Sequence, residues 1–171
     1  GGIMVPPDSP IMKPEDLADQ EIAVGYHSGS HFTTIQALEP FLPRERINTK
    51  FVGSVWARVD VGVDRDVPAT SVWGLTYLTL EQLGFRKIVD TSFMIAFMFP
   101  PGVDAADVEK YMNGMKRAQV DLGFEPEKYK HHYLKEIPER YSAKVDVRRF
   151  GPGERIVYLP YSEADYAKTQ A

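Results

Sequence analysis

Residues 21–42, EIAVGYHSGSHFTTIQALEPFL, contain the strand-to-helix junction that decides the fold. The run at 21–25 is short and apolar, as in a buried strand, and small residues follow it. The apolar residues that then recur at the spacing of one helix face are Phe32, Ile35, Leu38 and Leu42. Ser28 or Ser30 can cap that helix, and Pro43 lies just beyond it, where a helix stop is expected. The stretch therefore predicts a strand, a turn of small residues and a helix.

The same alternation of strand and helix patterns continues as far as residue 99. Strands are predicted at 50–52, 67–73 and 87–89, and a helix at 75–83 that Gly84 closes. The stretch 55–63 fits either a short helix or another strand. Residues 92–99, SFMIAFMF, form an apolar run whose length and flanking turn residues favour a buried strand. Strands that alternate with helices predict an α/β fold with a mostly parallel sheet flanked by helices.

Helical patterns dominate the chain after residue 100. Predicted here are a helix at 104–122 ended by Gly123, a helix at 125–134, a hairpin at 145–158 around Gly151-Pro152-Gly153, and a terminal helix opened by Ser162. The predicted organisation has an extended lead-in or hinge segment at 1–19, an α/β lobe at 20–99, and a C-terminal helical part with a hairpin at 100–171.

Composition and charge exclude several classes of function. The chain of 171 residues has 43% hydrophobic and 26% charged residues, which is typical of a globular domain rather than a disordered chain. Its formal net charge of −4 argues against nucleic acid as a partner, because no basic surface would attract phosphates. There is no cysteine, so disulfides, thiolate nucleophiles and cysteine-ligated metals are excluded.

The turn at 25–30 is a candidate binding site. Parallel sheets place their ligands at the carboxyl ends of strands, and this turn follows one such end. Its Gly and Ser residues allow close approach to the backbone, and the next helix presents unpaired N–H groups and the positive end of its dipole. These features suit a carboxylate, a sulfonate or a phosphate. The alternative is that Ser28 or Ser30 merely caps the helix.

Two histidines beside this turn raise the question of a metal site. His27 and His31 are four residues apart, which is the spacing of a metal-binding pair on a helix. The probable cap falls between them, however, and no third ligand follows at a recognisable spacing. The neighbouring His131 and His132 point in different directions on a helix and are expected to be solvated. We therefore predict no metal and no cofactor.

A Ser-His-acid triad can be drawn formally from Ser28 or Ser30, His31, and Asp64 or Asp66. The chain lacks the Gly-x-Ser-x-Gly elbow that would expose a nucleophile, and helix capping explains the serine hydroxyls better. A solvated turn explains the two aspartates.

Three motifs, in their order and spacing, resemble a known family. They are DSPIMKPEDLADQEIAVGYHSGSHFTTIQALEPF at 8–41, VDRDVPATSVWGL at 63–75 and LGFRKIVDTS at 83–92. The set is similar to the second lobe of type II periplasmic binding proteins, in the subgroup that binds taurine, alkanesulfonates, nitrate and thiamine precursors. Two departures are visible. Family members begin with a further segment that builds the first half of lobe one, and Pro68 interrupts the stretch where they have Val-Asp-Ala.

The resemblance implies a bacterial receptor that binds a small, anionic organic ligand without catalysis and delivers it to an ABC permease, in the periplasm or another extracytoplasmic place. Its lobes would close over the ligand by hinge motion, with residues 92–99 as the hinge strand. The ligand-binding residues that the resemblance implies are Tyr26, His27, Ser28, Gly29, Ser30, His31, Phe32, Thr70 and Trp73.

The same resemblance extends to enzymes on this scaffold, such as desulfinases and decarboxylases. In that alternative His27 or His31 would act as general acid or base, and the protein would be cytoplasmic. The helices after residue 104 would normally cover strands of lobe one. We therefore also expect an uncovered apolar face, and either self-association or a missing first-lobe segment that covers it.

Overall fold

A computed structural model describes residues 1–95, 97–151 and 162–169, with the side chains of 165, 166 and 169 left aside. The strands are β1 (Gly2–Val5), β2 (Glu21–Val24), β3 (Asn48–Phe51), β4 (Ala69–Val72) and β5 (Arg86–Asp90). The helices are α1 (Gly29–Leu38), α2 (Val55–Val63), α3 (Gly74–Gln82), α4 (Ala105–Phe124), α5 (Pro126–Lys130), α6 (Glu139–Ser142) and α7 (Glu163–Thr169).

The strands form one mixed sheet in the order β3-β2-β4-β1-β5. Strand β2 pairs in parallel with both β3 and β4, whereas β1 is antiparallel to both β4 and β5. Four strands therefore run in one direction and β1 runs against them. The predicted α/β class is confirmed. The predicted lead-in segment contains a central strand, which the sequence pattern did not reveal because all four residues of β1 are buried and show no alternation.

Two apolar layers enclose the sheet because successive side chains of β1 point to opposite faces. Ile3 and Val5 pack on one face in a cluster that includes Leu38 of α1. Met4 packs on the other face, with Val59 of α2 and Leu80 of α3. Helix α1 thus covers one face of the sheet, and α2 and α3 cover the other.

The path of the chain creates a topological switch point beside β2. The crossover through α1 leads from β2 outward to β3, and the crossover through α2 returns past β2 to β4 on its other side. In open α/β sheets, ligands bind in the crevice outside the carboxyl ends of the strands where the order reverses. We call the space between the turn after β2, residues 25–30, and the residues after β4, 73–74, the switch-point crevice.

Several local predictions are decided by the structure. The ambiguous stretch 55–63 is a helix, in which the Ser54 hydroxyl accepts a hydrogen bond from the Ala57 N–H at 3.1 Å. Helix α3 ends where predicted, with Gly84 at φ +85° in the left-handed region that favours glycine. Gly123, in contrast, does not end its helix, since α4 continues to Phe124.

The prediction of a buried strand at 92–99 is wrong. Met94, Ile95 and Met98 are 74%, 75% and 89% exposed, and no strand is assigned among the described residues of this run. A strand needs a neighbour for its N–H and C=O groups, and among the described residues β5 is an edge strand with no partner beyond β1. An apolar run carries no information about whether such a neighbour is present.

The C-terminal part is helical, with two corrections. The predicted helix at 125–134 is split into α5 and a 3₁₀ turn at His131–Lys135. The start of the predicted hairpin contains a 3₁₀ turn at Val147–Arg149, and residues 152–158 lie outside the described ones. Helix α7 begins at Glu163, directly after the predicted cap.

Helix α4 has no buried residue in the structure. On the apolar face that was predicted for it, Tyr111 and Leu122 are 49% and 48% exposed, in line with the expected uncovered apolar face. What covers that face stays a prediction. Within the described residues, no helix is both long and apolar enough to span a bilayer.

Candidate functional site

Three helices begin at the same edge of the sheet, which is the carboxyl edge of β2, β3 and β4. Their N-cap residues are Ser28 for α1, Ser54 for α2 and Trp73 for α3. Each helix start has N–H groups that no preceding turn of the helix can satisfy. The edge therefore concentrates hydrogen-bond donors and the positive ends of three helix dipoles.

The serines of the first turn fasten the strand to the helix. The Gly25 N–H donates to the buried Ser30 hydroxyl at 2.9 Å, and the Ser28 hydroxyl donates to the Gly25 carbonyl at 3.1 Å. The two hydroxyls lie 2.8 Å apart. Ser28 is the N-cap by backbone conformation, yet its side chain makes no capping bond. The prediction that a serine hydroxyl caps α1 is therefore wrong, because the buried backbone of Gly25, directly after β2, binds both hydroxyls instead.

This arrangement leaves donors for a ligand. Within the described residues, no acceptor is bound by the N–H groups of Gly29 and Ser30, while those of His31 and Phe32 bond the Ser28 carbonyl at 3.0 and 3.3 Å. Two N–H groups at a helix start suit an oxyanion. Residue 29 has no side chain, and the Phe93 ring occupies the space that a side chain would fill.

An aromatic stack surrounds the start of α1 and reaches the end of β3. Its members are Tyr26, His27, His31, Phe32 and Phe51. The Tyr26 and His27 rings stack with centroids 3.9 Å apart, and His27 and His31 lie parallel at 5.9 Å. Phe51, the last residue of β3, presents its edge to Tyr26 at 4.8 Å and was not predicted. Its position shows only once β3 is known to lie beside β2.

His31 is the buried member of the stack. Its Nδ1 atom has no hydrogen-bond partner among the described residues. Burial is the main cause that lowers the pKa of His31, and the nearby His27 and Arg44 lower it further. The ring is therefore neutral near pH 7.

The lowered pKa of His31 predicts a pH dependence of stability. An unfolded histidine gains a proton below about pH 6.5, and the native His31 resists that proton. We expect the free energy of unfolding to fall as the pH drops below about 6.5, by up to about 1.4 kcal/mol per pH unit, until the native ring is also protonated. Urea unfolding from pH 7.5 to 5 measures this slope. His31→Gln should flatten it, and an equal slope in the variant would contradict the assignment.

The residues of the proposed triad are not brought together. Asp64 caps the carboxyl end of α2, at the opposite edge of the sheet, and is paired there with Arg140. In the described part of the chain, neither His27 nor His31 forms a hydrogen bond with a hydroxyl or a carboxylate. Among the same residues, no three His, Asp or Glu side chains lie close enough together to hold a metal ion.

Trp73 and Phe93 form the other wall of the crevice. Trp73 is partly exposed and lines a cavity of about 420 Å³ together with Trp56, Gly74 and Tyr133. The Phe93 ring meets the Trp73 ring edge-on at 6.1 Å. It also lies over Gly29, where an added Cβ would be 2.8 Å from Phe93 Cζ. Phe93 therefore spans from one side of the crevice to the other, and its place in an apolar run hid this from the sequence.

Thr70 does not reach the crevice. It is fully buried, and its hydroxyl donates to the Arg58 carbonyl at 3.0 Å. The structure gives it a role in joining β4 to α2, and no contact with a ligand follows from its position. Of the other predicted ligand-binding residues, those at 26–32 lie in the turn after β2 and the first turn of α1, and Trp73 directly follows β4.

Comparisons with known proteins find solved structures of similar fold. No protein-family model matches the chain, and no curated protein sequence matches it. The periplasmic aliphatic sulphonate binding protein SsuA from Escherichia coli is 19% identical, with a TM-score of 0.72 over 99% of this chain and 56% of that one. The alkanesulfonate-binding protein SsuA from Xanthomonas axonopodis pv. citri, bound to MOPS, is 16% identical, with a TM-score of 0.66 over 99% and 62%.

The chain therefore has the fold of type II periplasmic binding proteins, as its motifs indicate. The particular structures that it resembles are the two sulfonate-binding proteins. It spans less than two thirds of the length of each.

Proposed function

We propose that this protein binds a small organic anion in the switch-point crevice and is the substrate-binding component of an ABC-type uptake system outside the cytoplasm. The observation that carries the proposal is the pair of N–H groups of Gly29 and Ser30, which lack acceptors in the described structure and lie at the carboxyl edge of the sheet. That two proteins of this fold are sulfonate-binding proteins supports the choice of ligand.

The walls of the crevice suit an anion with an organic tail. Binding sites for small molecules combine a few polar groups with apolar and aromatic walls. Here the oxyanion would accept hydrogen bonds at the start of α1, and the tail would lie between the aromatic stack and Trp73. Tyr26 and Phe32 are 67% and 57% exposed, so covering them with a ligand or a second lobe would remove apolar surface from water.

The enzymatic alternative stays a prediction that no observation favours. General acid–base catalysis by His27 or His31 needs a group that orients the ring or receives its proton. Both rings stack on aromatic neighbours instead.

A thermal-shift experiment on the intact protein tests the proposal. We expect ethanesulfonate, MOPS or benzoate to raise the melting temperature and butanol, a neutral molecule, to leave it unchanged. A ligand at a hundredfold excess over its dissociation constant stabilises by about 2.7 kcal/mol. Trp73→Leu should remove the shift. Phe124→Leu, at a side chain 83% exposed on α4, is the matched control that should keep it. The proposal fails if no anion shifts the unmodified protein, or if both variants shift alike.

A further inference from the structure

Among the described residues, a buried arginine beside the crevice has no counter-ion. Arg58, in the second turn of α2, is only 2% exposed. Its guanidinium Nη1 donates to the Ser71 carbonyl at 2.7 Å, and its buried Nε has no hydrogen-bond partner among the described residues. Burial lowers the pKa of Arg58 to about 10, and no acidic neighbour opposes that effect.

The acids nearest in sequence are occupied elsewhere. Asp60 accepts hydrogen bonds from Arg140 and Tyr141, and Asp64 pairs with Arg140. A buried charge without a partner is costly, and proteins rarely retain one without a use. The charge of Arg58 therefore has to be explained by its surroundings rather than by an internal ion pair.

Those surroundings are the wall of the crevice. The Arg58 guanidinium carbon lies 4.6 Å from the centroid of the Trp73 ring. The Ser71 carbonyl that it binds is one residue before the end of β4, and Trp73 opens α3. The guanidinium is thus held behind the aromatic wall, near the start of α3, where the helix dipole is also positive.

We propose that Arg58 is the fixed cation of the switch-point crevice, and that the counter-ion it lacks is the oxyanion of the ligand, a sulfonate or carboxylate bound against Trp73. The inference rests on the proposed function and extends it, because it assigns the recognition of charge to a residue of α2. Backbone N–H groups bind oxyanions and neutral oxygens alike, whereas a buried cation discriminates between them. Its positive charge also offsets the net negative charge of the chain at this one place.

The expected size of the effect follows from Coulomb's law. Two unit charges about 8 Å apart, the separation expected across the Trp73 ring, at an effective dielectric constant of about 20, attract strongly enough to change an affinity by about thirtyfold. Removal of the charge should therefore weaken an anionic ligand by about tenfold to a hundredfold and leave a neutral ligand unaffected.

Fluorescence quenching tests the cation without knowledge of the natural ligand. Trp56→Phe leaves Trp73 as the sole tryptophan, since the chain has two. In this background, quenching by iodide and by caesium at constant ionic strength reports the sign of the potential at the ring. We expect iodide to quench more strongly than caesium, relative to free N-acetyltryptophanamide. Arg58→Met should lower the iodide-to-caesium ratio by about twofold or more, whereas Arg58→Lys, the matched control, should keep it.

The outcomes separate this inference from the proposed function. Equal ratios with Arg and Met at position 58 would overturn the role of Arg58, even if sulfonates bind. A further outcome is an iodide-to-caesium ratio that depends on the charge at position 58 and yet stays unchanged when ethanesulfonate or MOPS is added. That result would support the role of Arg58 as a cation and count against the proposed ligands. Should Arg58→Met lose its fold by circular dichroism, Arg58→Gln replaces it. If both variants unfold, the test is made on the Trp56→Phe protein that keeps Arg58. In that protein, iodide quenching no stronger than caesium quenching contradicts the proposal.

Discussion

Met4→Ala is expected to lower the free energy of unfolding by about 2–5 kcal/mol. Met4 is fully buried in the central antiparallel strand β1, where it packs with Leu80 and Tyr141. Truncation removes apolar contact and leaves a cavity between the sheet and two helices, which the surrounding strands cannot close. Urea unfolding followed by circular dichroism measures the loss.

A methionine elsewhere in the chain provides a matched control for this change. Met98 is 89% exposed, so Met98→Ala makes the same chemical change without forming a cavity and should alter stability by less than about 0.5 kcal/mol. Similar losses from the two variants would mean that Gly2–Val5 is not a strand of the core. The pair therefore tests the least expected element of the fold.

Tyr141→Ala should destabilise the protein by about 3–5 kcal/mol, a value typical of large aromatic residues in cores. Tyr141 lies on α6 in the C-terminal part and is fully buried against the lobe. Its ring stacks on Trp56 with centroids 6.0 Å apart, and its hydroxyl donates to Asp60. Burial is the main cause that raises the pKa of Tyr141, as expected for a phenol held away from water.

Two further variants separate the contributions to that loss. Tyr141→Phe keeps the ring and should cost about 1–2 kcal/mol through the lost hydrogen bond to a charged group. Tyr111→Ala, at a tyrosine 49% exposed on α4, should cost about 1 kcal/mol or less. If Tyr141→Ala proves as mild as Tyr111→Ala, α6 does not dock on the lobe as the structure has it. The docking matters for function because Trp56 and Tyr133 line the cavity beside Trp73.

Some parts of the candidate site could be predicted from the sequence and others could not. The turn at 25–30 could be predicted because a strand pattern, small residues and a helix pattern follow one another directly in sequence. The detailed role of its serines could not. Whether a hydroxyl caps a helix or binds the end of a strand depends on which backbone group is nearer, and Gly25 is brought within 2.9 Å of Ser30.

Residues distant in sequence account for what was missed at the site. Phe51 joins the aromatic stack because β3 lies beside β2, and Phe93 crosses the crevice because its segment passes over Gly29. Arg58 gave no signal, since an arginine on a predicted helix or strand is ordinarily solvated. Only the packing of α2 against β4 buries it.

The sequence by itself determined the α/β class and most of the local elements between β2 and α4, since these depend on periodicity and turn residues within short stretches. The tertiary structure alone decided the antiparallel strand β1, the lack of strand pairing among the described residues of 92–99 and the position of the buried cation behind Trp73. The physical reason is that strand pairing and burial depend on which segments become neighbours in space. Whether a backbone group finds a hydrogen-bond partner, or a side chain loses its water, depends on two segments that meet in space. A single stretch of sequence therefore cannot predict either.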